Sequence, residues 1–139
     1  MKLNTMCLFF VFICFFTLSA CSPSYTLILY NNSGGTVKIQ LGDNGIIYII
    51  EDEHEATLGY FDWVPIIVQA ETTNWVYNIT NSPPRKYGAP RGWGLRNKIY
   101  FQLETTGEIY TMLPTEEFPL KDVTNQPPGF PLRPITEKD

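Results

Sequence analysis

The chain has 139 residues, 44% of them hydrophobic and 14% aromatic, with 10 Lys and Arg against 14 Asp and Glu for a formal charge of −4. An acidic balance gives no support for nucleic-acid binding, which wants a basic face, and a single histidine, His54, excludes a zinc site built from a histidine cluster. All three cysteines fall within the first 21 residues, so the rest of the chain holds neither a disulfide nor a thiolate metal site. In chain order, Lys2 precedes an apolar run over residues 6–16, followed by Thr17 and then Leu18-Ser19-Ala20-Cys21. A charged start, an apolar segment of about 7–15 residues and small residues at a cut site are the grammar of an export signal. A spanning helix needs roughly 20 apolar residues, and residues 6–20 include Thr17 and Ser19. No basic stop signal follows, since the next Lys or Arg is Lys38. A retained helix, and plain secretion that leaves a free thiol at Cys21, are the other readings of the segment.

Leu18-Ser19-Ala20-Cys21 resembles the lipobox of bacterial lipoproteins, and the likeness covers residues 1–22. It implies cleavage by signal peptidase II before Cys21, diacylglycerol on the Cys21 thiol and an acylated new amino terminus. Several acyl chains anchor stably where a single myristoyl chain binds only marginally. In enteric bacteria an Asp after the cysteine retains a lipoprotein in the inner membrane. Ser22 therefore implies the outer membrane, with the domain facing the periplasm. The expected organisation is a cleaved signal over 1–20, a lipidated tether over 21–24, a folded domain over 25–113 and a Pro-rich extended tail over 114–139. Without residues 1–20 the chain keeps nine Lys and Arg against fourteen acids, a charge of −5.

Residues 25–30 are aromatic and β-branched without a breaker and predict a first strand. Asn31-Asn32-Ser33-Gly34-Gly35 has the composition of a tight hairpin turn. Residues 36–41 alternate Val37, Ile39 and Leu41 with Thr36, Lys38 and Gln40, the pattern of a half-buried strand. After a turn at 42–45, residues 46–50 are apolar on both faces, which predicts a covered outer face. Residues 51–55 read as a polar turn and 57–60 as a weak strand. Residues 64–70 form a stronger strand that Pro65 either confines to an edge or delays to Ile66. Residues 75–79 place Trp75, Tyr77 and Ile79 on one face. Residues 98–103 and 108–113 form the clearest hairpin, around 104–107.

Short strands with turns every eight to twelve residues predict an all-β domain, a small antiparallel sandwich of about seven or eight strands. Residues 114–139 hold six prolines. Proline fixes φ and withholds an amide donor, so this tail is expected to be extended. Phe118, Leu120, Phe130 and Leu132 are expected to dock its 115–132 portion on the sandwich. In general look, an export cysteine, a Tyr-rich sandwich and a Pro-Gly-Phe-Pro-Leu tail resemble small lipoproteins of Gram-negative bacteria, a likeness that brings no function with it.

No phosphate loop, dinucleotide fingerprint or Gly-x-Ser-x-Gly elbow is present, and no cofactor or metal is expected. His54 within Glu51-Asp52-Glu53-His54-Glu55 could join a weak carboxylate site for a cation, but reads first as a solvated turn that keeps a strand edge polar. The loop 81–97 carries Arg85, Lys86, Arg91 and Arg96 with Tyr87 and Trp93 interleaved, and residues 72–103 contain no acid. Arg with Tyr and Trp is the composition of binding hot spots. Residues 43–71 hold seven acids and no Lys or Arg, a separation that would orient the domain toward an envelope protein or an anionic surface. The alternative is that acidic turn and basic loop neutralise each other within one molecule. The expected function is a non-enzymatic, lipid-anchored envelope protein with a binding or structural sandwich. Its architecture is similar to that of the outer-membrane lipoproteins of type VI secretion, which suggests an accessory lipoprotein of a secretion machine. A periplasmic immunity or inhibitor protein against a toxin is the second class.

Overall fold

A computed structural model describes residues 25–61, 64–79, 83–88 and 97–135, without the side chains of 60, 61, 85 and 97. The proposed signal, the lipobox and the tether lie outside the described residues. The described chain is all-β, with eight strands in two four-stranded sheets. The strands are β1 (Tyr25–Asn32), β2 (Val37–Leu41), β3 (Ile47–Ile50), β4 (His54–Phe61), β5 (Ile66–Gln69), β6 (Asn74–Tyr77), β7 (Asn97–Glu104) and β8 (Ile109–Met112). Sheet A has the order β4-β1-β7-β8 and sheet B the order β3-β2-β5-β6. Every pairing is antiparallel except β1 with β7, which run parallel from Tyr25 opposite Asn97 to Asn32 opposite Glu104.

The period-two pattern of each strand sends one row of side chains between the sheets. Leu27 and Leu29 of β1, Ile99, Phe101 and Leu103 of β7, and Ile109 of β8 meet Val37, Ile39, Ile66, Val68 and Tyr77 of sheet B in one core. Burying an aliphatic or aromatic side chain of this size contributes roughly 1.5–3 kcal/mol. Packing of this kind carries a domain whose cysteines all precede it. Tyr77 brings a polar tip into the core, and its hydroxyl donates to the Gly107 carbonyl at 2.6 Å.

Asn31-Asn32-Ser33-Gly34-Gly35 does not close a hairpin, because β1 belongs to sheet A and β2 to sheet B. Asn31 is buried, and its side chain donates to the carbonyls of Gly35 (2.7 Å) and Ile50 (3.0 Å), tying the crossing to the end of β3. The covered outer face expected at 46–50 is also corrected. Tyr48 and Ile50 point inward, while Ile47 and Ile49 remain 56% and 67% exposed on an edge strand. Cover on both faces falls instead on interior strands such as β1, where Leu27, Ile28, Leu29 and Tyr30 are all buried. His54 and Glu55 belong to β4 rather than to the preceding turn. Pro65 precedes β5, which begins at Ile66 in the interior of sheet B.

The cover over β1 is the chain's own tail. Phe118 stacks on Tyr30 with ring centroids 4.8 Å apart and planes 10° from parallel, and reaches Tyr100 at 6.5 Å. The Leu120 amide donates to the Gln102 side chain at 2.6 Å. Phe130 packs on Phe101 at 5.5 Å, and Leu132 joins the core. The tail also satisfies sheet edges. Leu132 and Ile109 exchange backbone hydrogen bonds of 2.8 and 2.9 Å, and the Ile135 amide donates to the Val76 carbonyl at 2.8 Å. Residues 118–135 thus strap sheet A and reach the edge of sheet B.

Candidate functional site

The loop singled out by its cations and aromatics leaves β6 and enters β7. Of its six candidate residues, Arg91, Trp93 and Arg96 lie outside the described residues, and Arg85 is placed only by its backbone. That backbone opens a single 3-10 turn, Arg85–Tyr87, closed by the Tyr87 amide on the Pro84 carbonyl at 2.8 Å. Lys86 is exposed, with its ammonium 5.0 Å from the centroid of the Tyr87 ring. Tyr87 itself is only 5% exposed, and its hydroxyl donates to the Asn125 carbonyl at 3.3 Å. The candidate contact Tyr87 is thus buried, where it pins the loop to the tail from within. Gly88 then bridges to Ile99 at the start of β7. Among the described residues, Lys86 is the candidate contact whose side chain is exposed.

The acidic segment is organised by the backbone around it. Glu53 adopts φ 58°, a left-handed conformation that costs an ordinary residue about 1–2 kcal/mol. The Glu53 amide donates to the Asn31 carbonyl at 2.7 Å, and the Gly34 amide to an Asp52 carboxylate oxygen at 2.9 Å. His54 is exposed, and its Nδ1 donates to the Asp52 carbonyl at 2.8 Å. Among the described residues no group of three His, Cys, Asp or Glu is placed to hold a metal ion.

Strand register places more acids at the same end. Asn31 of β1 is opposite His54, and Asn32 is opposite Glu104, whose carboxylate accepts two bonds from the Asn32 amide at 2.9 and 3.1 Å. Burial first, then the charges of Glu53, Asp52 and Glu104, push the Tyr30 phenol above its ordinary value. Glu108, beyond the 105–107 turn, accepts from Tyr110 at 2.7 Å and from Arg133 at 3.1 Å. Those two hydrogen bonds hold its carboxyl below the usual range, and the bond to Glu108 with burial pushes Tyr110 up to about 12.

Sequence reasoning missed the exposed aliphatic side chains of the 46–49 stretch. Ile46, Ile47 and Ile49 are 71%, 56% and 67% exposed. A continuous apolar run is compatible with a strand covered on both faces, and only sheet order reveals β3 as an edge. No helix among the described residues is long and apolar enough to cross a membrane. Compared with protein families, with curated proteins and with solved structures, the chain finds no match.

Proposed function

We propose that the protein is a non-enzymatic lipoprotein of the cell envelope, whose β-sandwich serves as a binding or structural module on an acyl anchor at Cys21. The observation that carries the reading is Leu18-Ser19-Ala20-Cys21 at the end of a short apolar segment, with Tyr25 already the first residue of β1. So short a tether keeps the module beside the bilayer. Ser22 supports the outer membrane and the periplasmic face. The loop 81–97, with Arg85, Lys86, Arg91 and Arg96 in a stretch free of acids, is the proposed contact for an anionic surface or an envelope protein.

Detergent phase partition with metabolic palmitate labelling tests the anchor. The wild-type chain should enter the detergent phase and carry label, and Cys21→Ser should do neither. A wild-type chain that stays aqueous and unlabelled overturns the reading.

A further inference from the structure

The sandwich has two unlike ends, and the pairing of strands fixes which residues belong to each. Tyr25, where β1 starts, is opposite Phe61 of β4 and Asn97 of β7. Four residues join Phe61 to Ile66 of β5, and Ile66 is opposite both Leu41 and Tyr77. The Gly42 amide donates to the Pro65 carbonyl at 2.7 Å, and Ile47 is opposite Gln40. The 42–46 turn, the start of β3 and the two ends of the 78–96 connection therefore share the end at which β1 begins. The opposite end gathers Glu51, Asp52, Glu53, Glu55, Glu71, Glu104 and Glu108.

The outer faces are also unlike. Sheet A is covered by the tail through Phe118 and Leu120, whereas on sheet B Ile47 and Ile49 remain more than half exposed. Ile46, just ahead of β3, is the most exposed of the three. Cys21 is four residues from Tyr25, a reach of at most about 14 Å, so acyl chains on Cys21 hold Tyr25 close to the bilayer, and the 42–46 turn and the start of β3 share that end of the sandwich. A second, weak contact becomes intramolecular once the first is made, and needs little affinity of its own.

We propose that the domain lies on the bilayer through this end, with Ile46 and Ile47 entering the lipid interface and the acid-rich end turned away. The proposal rests on the acyl anchor at Cys21. Ile46 and Ile47 enter the lipid, and the cations of the 81–97 loop, whose two ends lie at this end, would add attraction to anionic headgroups. Among the described side chains there, Lys86 and Lys98 stand with Asp43 and Glu116. Charge favours the same orientation, since the seven acids of the far end outnumber the Lys38 and Arg133 that stand with them and anionic lipid repels the excess.

The test uses the full chain, processed in cells and reconstituted in vesicles of phosphatidylethanolamine and phosphatidylglycerol with brominated acyl chains. The domain has no cysteine of its own, so a polarity-sensitive dye can be placed at Ile47→Cys or, on the far end, at Glu71→Cys. The dye at position 47 should shift to the blue and be quenched by bromine, and the dye at 71 should do neither. An Ile46→Cys dye gives the same readout should Ile47→Cys perturb the edge strand. Vesicle-bound protein with both ends unquenched overturns the orientation while the anchor stands. A blue-shifted, unquenched dye whose signal rises with protein density means a second copy covers the face, and also overturns it. Protein that leaves the vesicles with Cys21 unmodified overturns anchor and orientation together.

Discussion

Gln126 bonds both backbone groups of Thr111: its Oε1 accepts from the Thr111 amide at 2.9 Å and its Nε2 donates to the Thr111 carbonyl at 3.0 Å. One tail side chain thus stands where a neighbouring strand would, on the outer edge of β8. Thr111 is fully buried. Gln126→Ala leaves a buried amide and carbonyl unmet and is expected to cost about 1–3 kcal/mol. The check is a lower urea midpoint at unchanged slope.

The tail contributes unevenly along its length. Leu132 is 8% exposed and belongs to the core, whereas Ile135 is 48% exposed and holds sheet B through its backbone amide. Leu132→Ala is expected to cost about 2–5 kcal/mol, and Ile135→Ala no more than about 0.5 kcal/mol. Thermal unfolding of the two variants side by side checks the contrast.

Gly107 sits at φ 78° in the β7–β8 turn, and a Cβ there would lie 2.8 Å from Cε2 of Trp75. Its carbonyl also receives the buried Tyr77 hydroxyl. Gly107→Ala combines left-handed strain of about 1–2 kcal/mol with displacement of Trp75, so the loss should exceed the strain alone. Gly35→Ala, with open space around the added carbon, is the control and should change stability little. Trp75 fluorescence should shift in the first variant only.

Acid stability has a local source in Glu108. Bonds from Tyr110 and Arg133 hold its carboxyl below the ordinary value, so the folded state binds that proton less readily than the unfolded chain. This stabilisation is present above the unfolded pKa of about 4.3 and is lost as pH falls through the folded one. Arg133 is 76% exposed, so its share is below about 1 kcal/mol. Glu108→Gln should flatten the stability profile on that acid limb. Tyr110, raised to about 12, acts with the opposite sign. Its contribution is complete below the unfolded pKa of about 10 and fades as pH climbs toward 12.

Local pattern revealed the strands, because alternation and β-branched content act over a few residues. Residues 98–113 form the expected hairpin, with Glu104 and Glu108 closing it through a 3.0 Å backbone bond, and Trp75, Tyr77 and Ile79 do face inward. The expected docking is borne out for the side chains of Phe118, Phe130 and Leu132, while Leu120 holds the sheet through its backbone amide. Partnership between sheets was not legible. The turn chemistry of residues 31–35 permits a hairpin, yet Asn31 binds Ile50 across the sandwich, a contact nineteen residues away. The parallel β1–β7 pair is 72 residues apart in the chain, and that placement leaves β1 interior and β3 at an edge. The candidate site was half legible. Cations in the 81–97 loop could be counted, but Tyr87 turned inward because Asn125 of the tail offers its hydroxyl a carbonyl.

The central claim is a covalent one at Cys21, and mass spectrometry of the mature protein addresses it most directly. Trypsin should release residues 21–38 as the amino-terminal peptide, since Lys38 is the first basic residue after the cut. The account predicts that this peptide carries diacylglycerol on sulfur and an acyl group on its amino terminus. An unmodified Cys21 thiol, or a mature chain that begins at another residue, would contradict it.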